Sequence, residues 1–180
     1  MELREQLQSR KEAIVKRWIA DILASYPDEA TAAFSREKDP FANPVGHSVR
    51  MGTRGIFEAL LEGKDAGEIH EHLHEIIRIR AIQDFSASES VCFVLELKKA
   101  IRAELGSAAM DSRYSSDLDD VNDQIDRFAL AAFDVFAQCR EQLADLRVNE
   151  MKRRVSWIVG KMNDRELDPE LAQVEPGEEV

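Results

Sequence analysis

The longest stretch without glycine or proline runs from Ser107 to Val159, and it limits the chain to few folds. Apolar residues at three-to-four-residue steps form a first stripe in it: Val121, Ile125, Phe128, Ala132, Val135 and Cys139. A second stripe follows in a shifted register: Ala144, Val148, Met151, Val155, Ile158 and Met162. This spacing is typical of a helix. Over ~40 residues such a helix would be roughly 60 Å long, which exceeds what one small domain can cover.

We therefore expect the two halves of this helix to do different things. The first half should complete a hydrophobic core, and residues 128–136 (FALAAFDVF) look apolar on nearly all sides, as in a helix that crosses a core. The second half should project from the core and pair with a partner, most simply the same helix of a second chain.

The upstream sequence predicts further helices and no strand. Residues 3–26 form an amphipathic pattern that ends at Tyr26-Pro27, and a short helix at 28–38 would seat Phe34. VRMGTRGIFEALLEG should stop near Gly63, and DAGEIHEHLHEIIRIRAIQ should form the next helix. Ser86 and Glu89 have capping-box spacing for a helix that ends before Gly106.

The predicted fold class is therefore all-α. The predicted domains are a helical sensor-like core over 1–140, a dimerisation or signalling helix over 141–162 that continues the core helix, and an acidic, disordered tail over 163–180.

The charge and the cysteines exclude several classes of protein. The formal charge is −11, of which the last 18 residues carry −6, so a general nucleic-acid binder is not expected. No signal-peptide h-region and no membrane-length apolar run is present, which predicts a cytoplasmic protein. Cys92 and Cys139 lack metal-site spacing, so we expect two reduced, packed cysteines, with a redox-responsive pair as the alternative.

The segment DPFANPVGH at 39–47 contains two helix-start signals in tandem. Asp39-Pro40 and Asn43-Pro44 are each an N-cap residue type followed by proline. Phe41 and Val45 should enter the core, and Gly46 should allow a neighbouring helix to approach closely. His47 lies near the helix start, where the dipole favours the neutral imidazole that can bind a metal or haem. It is the candidate cofactor ligand, and a hydrogen-bonded helix-entry histidine is the alternative.

The segment GEIHEHLHEIIR places His70 and His74 four residues apart, so both imidazoles can reach one side of a helix. His72 would point about 200° away from His70 at 100° per residue, and no third ligand is evident. The letters fit the zinc-protease pattern HExxH, but no substrate cleft can be argued. We expect a solvated helix surface, with His70 and His74 as this segment's candidates for a metal. No cofactor is predicted.

Arg78 and Arg80 lie in a largely apolar run, IRIRAIQDFS. We expect them to pair inside the protein, with Asp84, Glu89 or Asp126 as partners, and anion binding is the alternative. No GxSxG motif and no phosphate-binding glycine loop is present, so no enzyme is predicted.

Four blocks of the chain carry a family resemblance: DPFANPVGH, IRIRAIQDFSASESVCFVLELKKAIRAEL, IDRFALAAFDVFAQCRE and RVNEMKRR. Together they resemble the N-terminal sensor-like domain of the RsbT co-antagonist RsbRD, a stressosome regulator. The resemblance implies a non-catalytic helical domain related to globin-like sensors, which in full-length regulators precedes a STAS domain. Because 18 residues follow Met162, we expect a stand-alone version. The helix at 87–105 contains no histidine, which disfavours a globin-style haem.

The sequence thus predicts a homodimeric signalling domain that acts through contacts with a regulatory protein partner. Val148, Met151, Val155 and Ile158 should form the pairing seam of a coiled coil. The alternative is a sensor that binds haem, a metal or a small ligand through His47 or the His70/His74 cluster.

Overall fold

All regular structure in this protein is helical within the ranges that the computed structural model describes, residues 3–26, 42–83 and 85–166, with side chains up to 163. The helices are α1 (Leu3–Ser9), α2 (Lys11–Leu23), α3 (Pro44–Glu62), α4 (His70–Ile82), α5 (Ala87–Leu105) and α6 (Ser115–Glu166). Two 3-10 turns, Gly106–Met110 and Ser112–Tyr114, join α5 to α6. No strand occurs in these ranges, so the all-α prediction is confirmed. The predicted helix at 28–38, Asp39 to Phe41, Asp84 and the tail from 167 lie outside them.

The ends of α3 and α5 follow from their local sequence. Asn43 caps α3, where its side chain accepts a hydrogen bond from the Gly46 N–H at 2.8 Å, and Pro44 occupies the first turn. The helix stops at Gly63, whose φ of 71° suits a residue without a Cβ. Ser86 and Glu89 form both bonds of the predicted capping box of α5.

The first helical segment differs from the expectation of one helix over 3–26, because it breaks at Arg10. Arg10 has φ −108° and ψ 10°, outside helical geometry. Its guanidinium donates a hydrogen bond to the carbonyl of Glu104 at the end of α5, and the hydroxyl of Ser9 donates to the Gln6 carbonyl at 2.9 Å. The first bond ties the break to the end of α5, and the Gln6 carbonyl accepts from both the Ser9 hydroxyl and the Arg10 N–H, the latter at 3.3 Å.

The core is assembled around Trp18 of α2. This side chain is fully buried, its Nε1–H donates to the Phe93 carbonyl of α5 at 2.6 Å, and its ring stacks on Phe93 with centroids 6.2 Å apart. Helix α2 packs against α5 and α3, and α3 packs against α4. The other largest fully buried side chains are Phe57, Phe128, Leu3, Leu7, Ile14, Ile22, Ile56, Leu60 and Ile69. No helix of the described residues is long and apolar enough to cross a membrane.

Helix α6 contributes to two compact units, Met1–Arg140 and Glu141–Val180. In the first unit it buries the whole first stripe: Val121, Ile125, Phe128, Ala132, Val135 and Cys139. The expectation that 128–136 is surrounded by core is wrong, because Leu130 is 69% and Phe133 53% exposed. The helix therefore lies on the core with one face and presents these two side chains on another.

Arg80 is the unusual member of the core. It is fully buried, and its guanidinium carbon lies 5.1–5.4 Å from the ring centroids of Tyr26, Phe85 and Phe93. Its Nη1 donates to the Glu89 carbonyl at 2.8 Å, and its Nη2 donates to the Ser25 hydroxyl at 2.9 Å and the Ile22 carbonyl at 3.4 Å. The Nε of Arg80 is buried without a hydrogen-bond partner, and so is the Oγ of Ser90, the residue that follows Glu89.

Within the described residues, neither of the expected carboxylate partners, Glu89 and Asp126, forms an ion pair with Arg78 or Arg80. Arg78 forms an exposed ion pair with Glu75 at 3.2 Å. Arg80 binds the carbonyl of Glu89 rather than its carboxylate, because that carboxylate is held by the Ser86 N–H and hydroxyl. Asp126 pairs with Lys98 at 2.7 Å instead. The positive charge of Arg80 is thus balanced by aromatic faces and helix-end oxygens.

We expect Arg80→Ala to lower the free energy of unfolding by about 3 kcal/mol, because it leaves a cavity and orphaned oxygen acceptors. Arg80→Met should cost less, since methionine refills much of the volume between the rings. Urea denaturation followed by circular dichroism measures both. An Arg80→Ala protein as stable as the wild type would show that this arginine is not needed to hold the helices together.

Candidate functional site

All four histidines of the chain line one groove between α3 and α4. We call it the histidine groove, and define it by its lining residues: His47, Met51, Arg54, Gly55, Glu58, His70, Glu71, His72, His74 and Glu75. In the sequence, His47 and the His70/His74 pair are separate candidates. The structure brings them to a single surface.

Two glycines allow α3 and α4 to pack closely enough to form this groove. A Cβ on Gly52 would lie 2.7 Å from the carbonyl oxygen of His72 and 2.8 Å from the Ile76 side chain. A Cβ on Gly55 would lie 2.3 Å from Nδ1 of His72. The expectation that Gly46 serves this purpose is wrong, because a Cβ there would meet the side chain of its own N-cap residue, Asn43.

His72 is the groove residue that sequence reasoning missed. Its ring packs on the bare backbone of Gly55, a contact that helical periodicity alone could not show. The pKa of the nearby Glu58 is lowered, first by its hydrogen bond from Lys11 Nζ at 2.5 Å and, to a smaller extent, by the charges of Lys11, His72 and Arg54. Glu58 is therefore ionised at neutral pH.

His70 and His74 face the same side of α4, as their spacing predicts. Their rings are nearly parallel, at 12°, with centroids 6.2 Å apart. His70 is exposed and His74 half-buried. His70 Nε2 lies 3.4 Å from Oε1 of Gln138 on α6, so this histidine joins α4 to α6 within the first unit.

His47 of α3 and Glu75 of α4 also line the groove. His47 lies in the first turn of α3, half-buried, with its backbone N–H donating to the Asn43 carbonyl at 3.0 Å. Ser48 donates to the Glu75 carboxylate at 3.3 Å, which sets α3 against α4. Within the described ranges, no three His, Cys, Asp or Glu side chains are grouped as a ready-made metal site.

The remaining candidate residues lie elsewhere. Val148, Met151, Val155 and Ile158 belong to the second unit, where they are 44%, 62%, 58% and 50% exposed. Both cysteines are free thiols. Cys139 is buried, as expected, and its burial raises its pKa, but Cys92 is exposed, so the expectation that both are packed is wrong for Cys92.

One comparison with known proteins gives a match. A family model described as the RsbT co-antagonist protein rsbRD N-terminal domain matches residues 12–151. No curated protein and no solved structure matches the chain significantly.

Substitution of the two groove glycines tests the packing of α3 on α4. We expect Gly52→Ala to destabilise the protein by about 2 kcal/mol, because its Cβ meets backbone that can only move with the whole helix. Gly55→Ala should cost less and should be rescued by His72→Ala, since the clash is with a side chain. Thermal and urea denaturation of the single and double variants measure this coupling.

Gly160→Ala is the matched control, because a Cβ there meets nothing within 4 Å. It should be neutral or stabilising, as alanine favours helix over glycine. Equal losses at Gly52, Gly55 and Gly160 would contradict the close helix approach.

Proposed function

Because the chain belongs to the family of RsbT co-antagonist protein rsbRD N-terminal domains, we propose that it is a non-catalytic regulatory domain that acts through protein–protein contacts as a homodimer. The family is one of regulatory signalling domains of the stress response. The finer points, self-pairing and the docking of a regulatory protein partner in a stressosome-type assembly, are our proposal.

The observation that carries this proposal is the row of exposed apolar side chains in the second unit. Its large apolar residues from 146 to 162 are all exposed: Leu146, Val148, Met151, Val155, Trp157, Ile158, Val159 and Met162. So many large apolar side chains on one helix favour a partner, since soluble proteins rarely leave such surfaces in water. Val148, Met151, Val155 and Ile158 follow one another at steps of three, four and three residues, the spacing of a coiled-coil seam.

The charges on the same helix are compatible with pairing. Glu150 and Arg154 form an exposed ion pair at 3.0 Å, four residues apart, which supports the helix by a few tenths of a kcal/mol. Trp157 is covered on one side by Lys161, whose Nζ lies 4.6 Å from the ring centroid. Helical spacing places Trp157 on the face opposite the seam, so this aromatic side chain is available to a second protein.

The two stripes of α6 suggest how a signal would pass through it. The stripe that ends at Cys139 and the stripe that begins at Ala144 are five residues apart, which is neither of the heptad steps. We propose that the paired helices change rotation or register at this offset when the core binds its partner.

Replacing Val155 by Asp should convert the dimer to a monomer, because each chain would bring a carboxylate into an apolar seam. Light scattering after size-exclusion chromatography of the full chain, over a series of concentrations, measures the mass. Circular dichroism should show an unchanged helix content in the core.

Asn149→Asp is the control for the added charge. Asn149 is exposed on α6 and lies outside the seam by helical spacing. It should leave the mass unchanged. A wild-type chain that stays monomeric at every concentration, or a Val155→Asp chain that stays dimeric, would contradict the proposed seam.

A further inference from the structure

We propose that His70 and His74 bind a divalent late transition-metal ion, such as Zn²⁺, in the histidine groove. The two imidazoles are one helical turn apart, nearly parallel, and accessible from the groove. Two histidines at this spacing on one helix face can ligate the same ion. The inference goes beyond the proposed function and does not depend on pairing of α6.

The contact between His70 and Gln138 supports this assignment independently. Oε1 of Gln138 lies 3.4 Å from Nε2 of His70, and it accepts a hydrogen bond in the tautomer that carries the proton on Nε2. Nδ1 then keeps its lone pair for a metal. Histidine ligands in metal sites usually donate their second nitrogen to an oxygen acceptor, which fixes the tautomer and the ring orientation.

The charge of the groove favours a cation. Its lining includes three carboxylates, Glu58, Glu71 and Glu75, against one guanidinium, Arg54. Glu58 is also bound by Lys11, and Glu75 by Arg78 and Ser48, whereas Glu71 is exposed on the same turn as His70 and His74. A metal ion held by the two imidazoles would therefore be near the negative charge of Glu71, without Glu71 acting as a ligand.

The donor set selects the class of ion. Imidazole nitrogen suits Zn²⁺, Cu²⁺ and Ni²⁺, while Mg²⁺ and Ca²⁺ prefer oxygen donors. His47 and Met51, four residues apart on α3, line the facing wall of the groove and offer a further nitrogen and a thioether sulfur. Since the described residues contain no complete cluster of three His, Cys, Asp or Glu ligands, we expect water to fill the remaining positions.

Isothermal titration of the full-length chain with Zn²⁺, without any histidine tag, tests the site, with Mg²⁺ as the control ion. We expect one Zn²⁺ per chain and no comparable Mg²⁺ binding. His70→Gln and His74→Gln should each lower the Zn²⁺ affinity at least ~10-fold. Ile82→Gln, the matched control on the same helix, should leave the affinity unchanged, because Ile82 is exposed and does not line the groove.

Gln138 supplies a second test, because it acts only through His70. Gln138→Ala should lower the Zn²⁺ affinity about tenfold, and Gln138→Glu should restore it, since a carboxylate also accepts from Nε2–H. Loss of stability alone would not give this rescue.

Three results would overturn the proposal. They are no Zn²⁺ binding by the wild type, Zn²⁺ binding that survives the combined His70→Gln and His74→Gln substitutions, and equal binding of Mg²⁺, which would assign the ion to surface carboxylates. Circular dichroism of each variant establishes that it is folded before titration.

Discussion

The buried charge of Arg80 is the constraint on which the helical core depends. A guanidinium in the protein interior is costly unless its N–H groups and its charge are both satisfied. Here the oxygens come from the end of α2 and the first turn of α5, and the aromatic faces come from Tyr26, Phe85 and Phe93. Arg80 itself lies on α4. The arginine therefore requires three helices and the segment before α5 to be in place together, so their packing is cooperative.

The position of α4, fixed on one side by Arg80, also explains the histidine groove. On its other side α4 meets the glycine face of α3, where Gly52 and Gly55 leave no space for a larger residue. Helices that approach this closely bring the side chains flanking the contact to a common surface. The imidazoles are thus gathered by backbone packing and not by hydrogen bonds among themselves.

The features that the sequence predicted are those with local causes. The caps at Asn43, Ser86 and Gly63 depend on residues within one turn, so the sequence alone identifies them. The break at Arg10 depends on a carbonyl of α5, and the partners of Arg80 depend on α2, so neither has a local signal. Exposure of Leu130 and Phe133 was missed because composition does not show which face of an apolar helix is covered. The globin-like arrangement implied by the family stays a prediction.

The contacts of α6 with α4 show where a signal could enter the long helix. Gln138 meets His70 at the start of α4, and Arg140 donates to the Ala81 carbonyl at its end, at 3.1 Å. Both contacts are polar, the first exposed and the second partly buried, and each is worth only about 1 kcal/mol. The buried stripe from Val121 to Cys139 resists displacement far more strongly, because moving it would expose apolar area. We therefore propose that a ligand or partner that acts on α4 exchanges these end contacts and leaves the buried stripe in place.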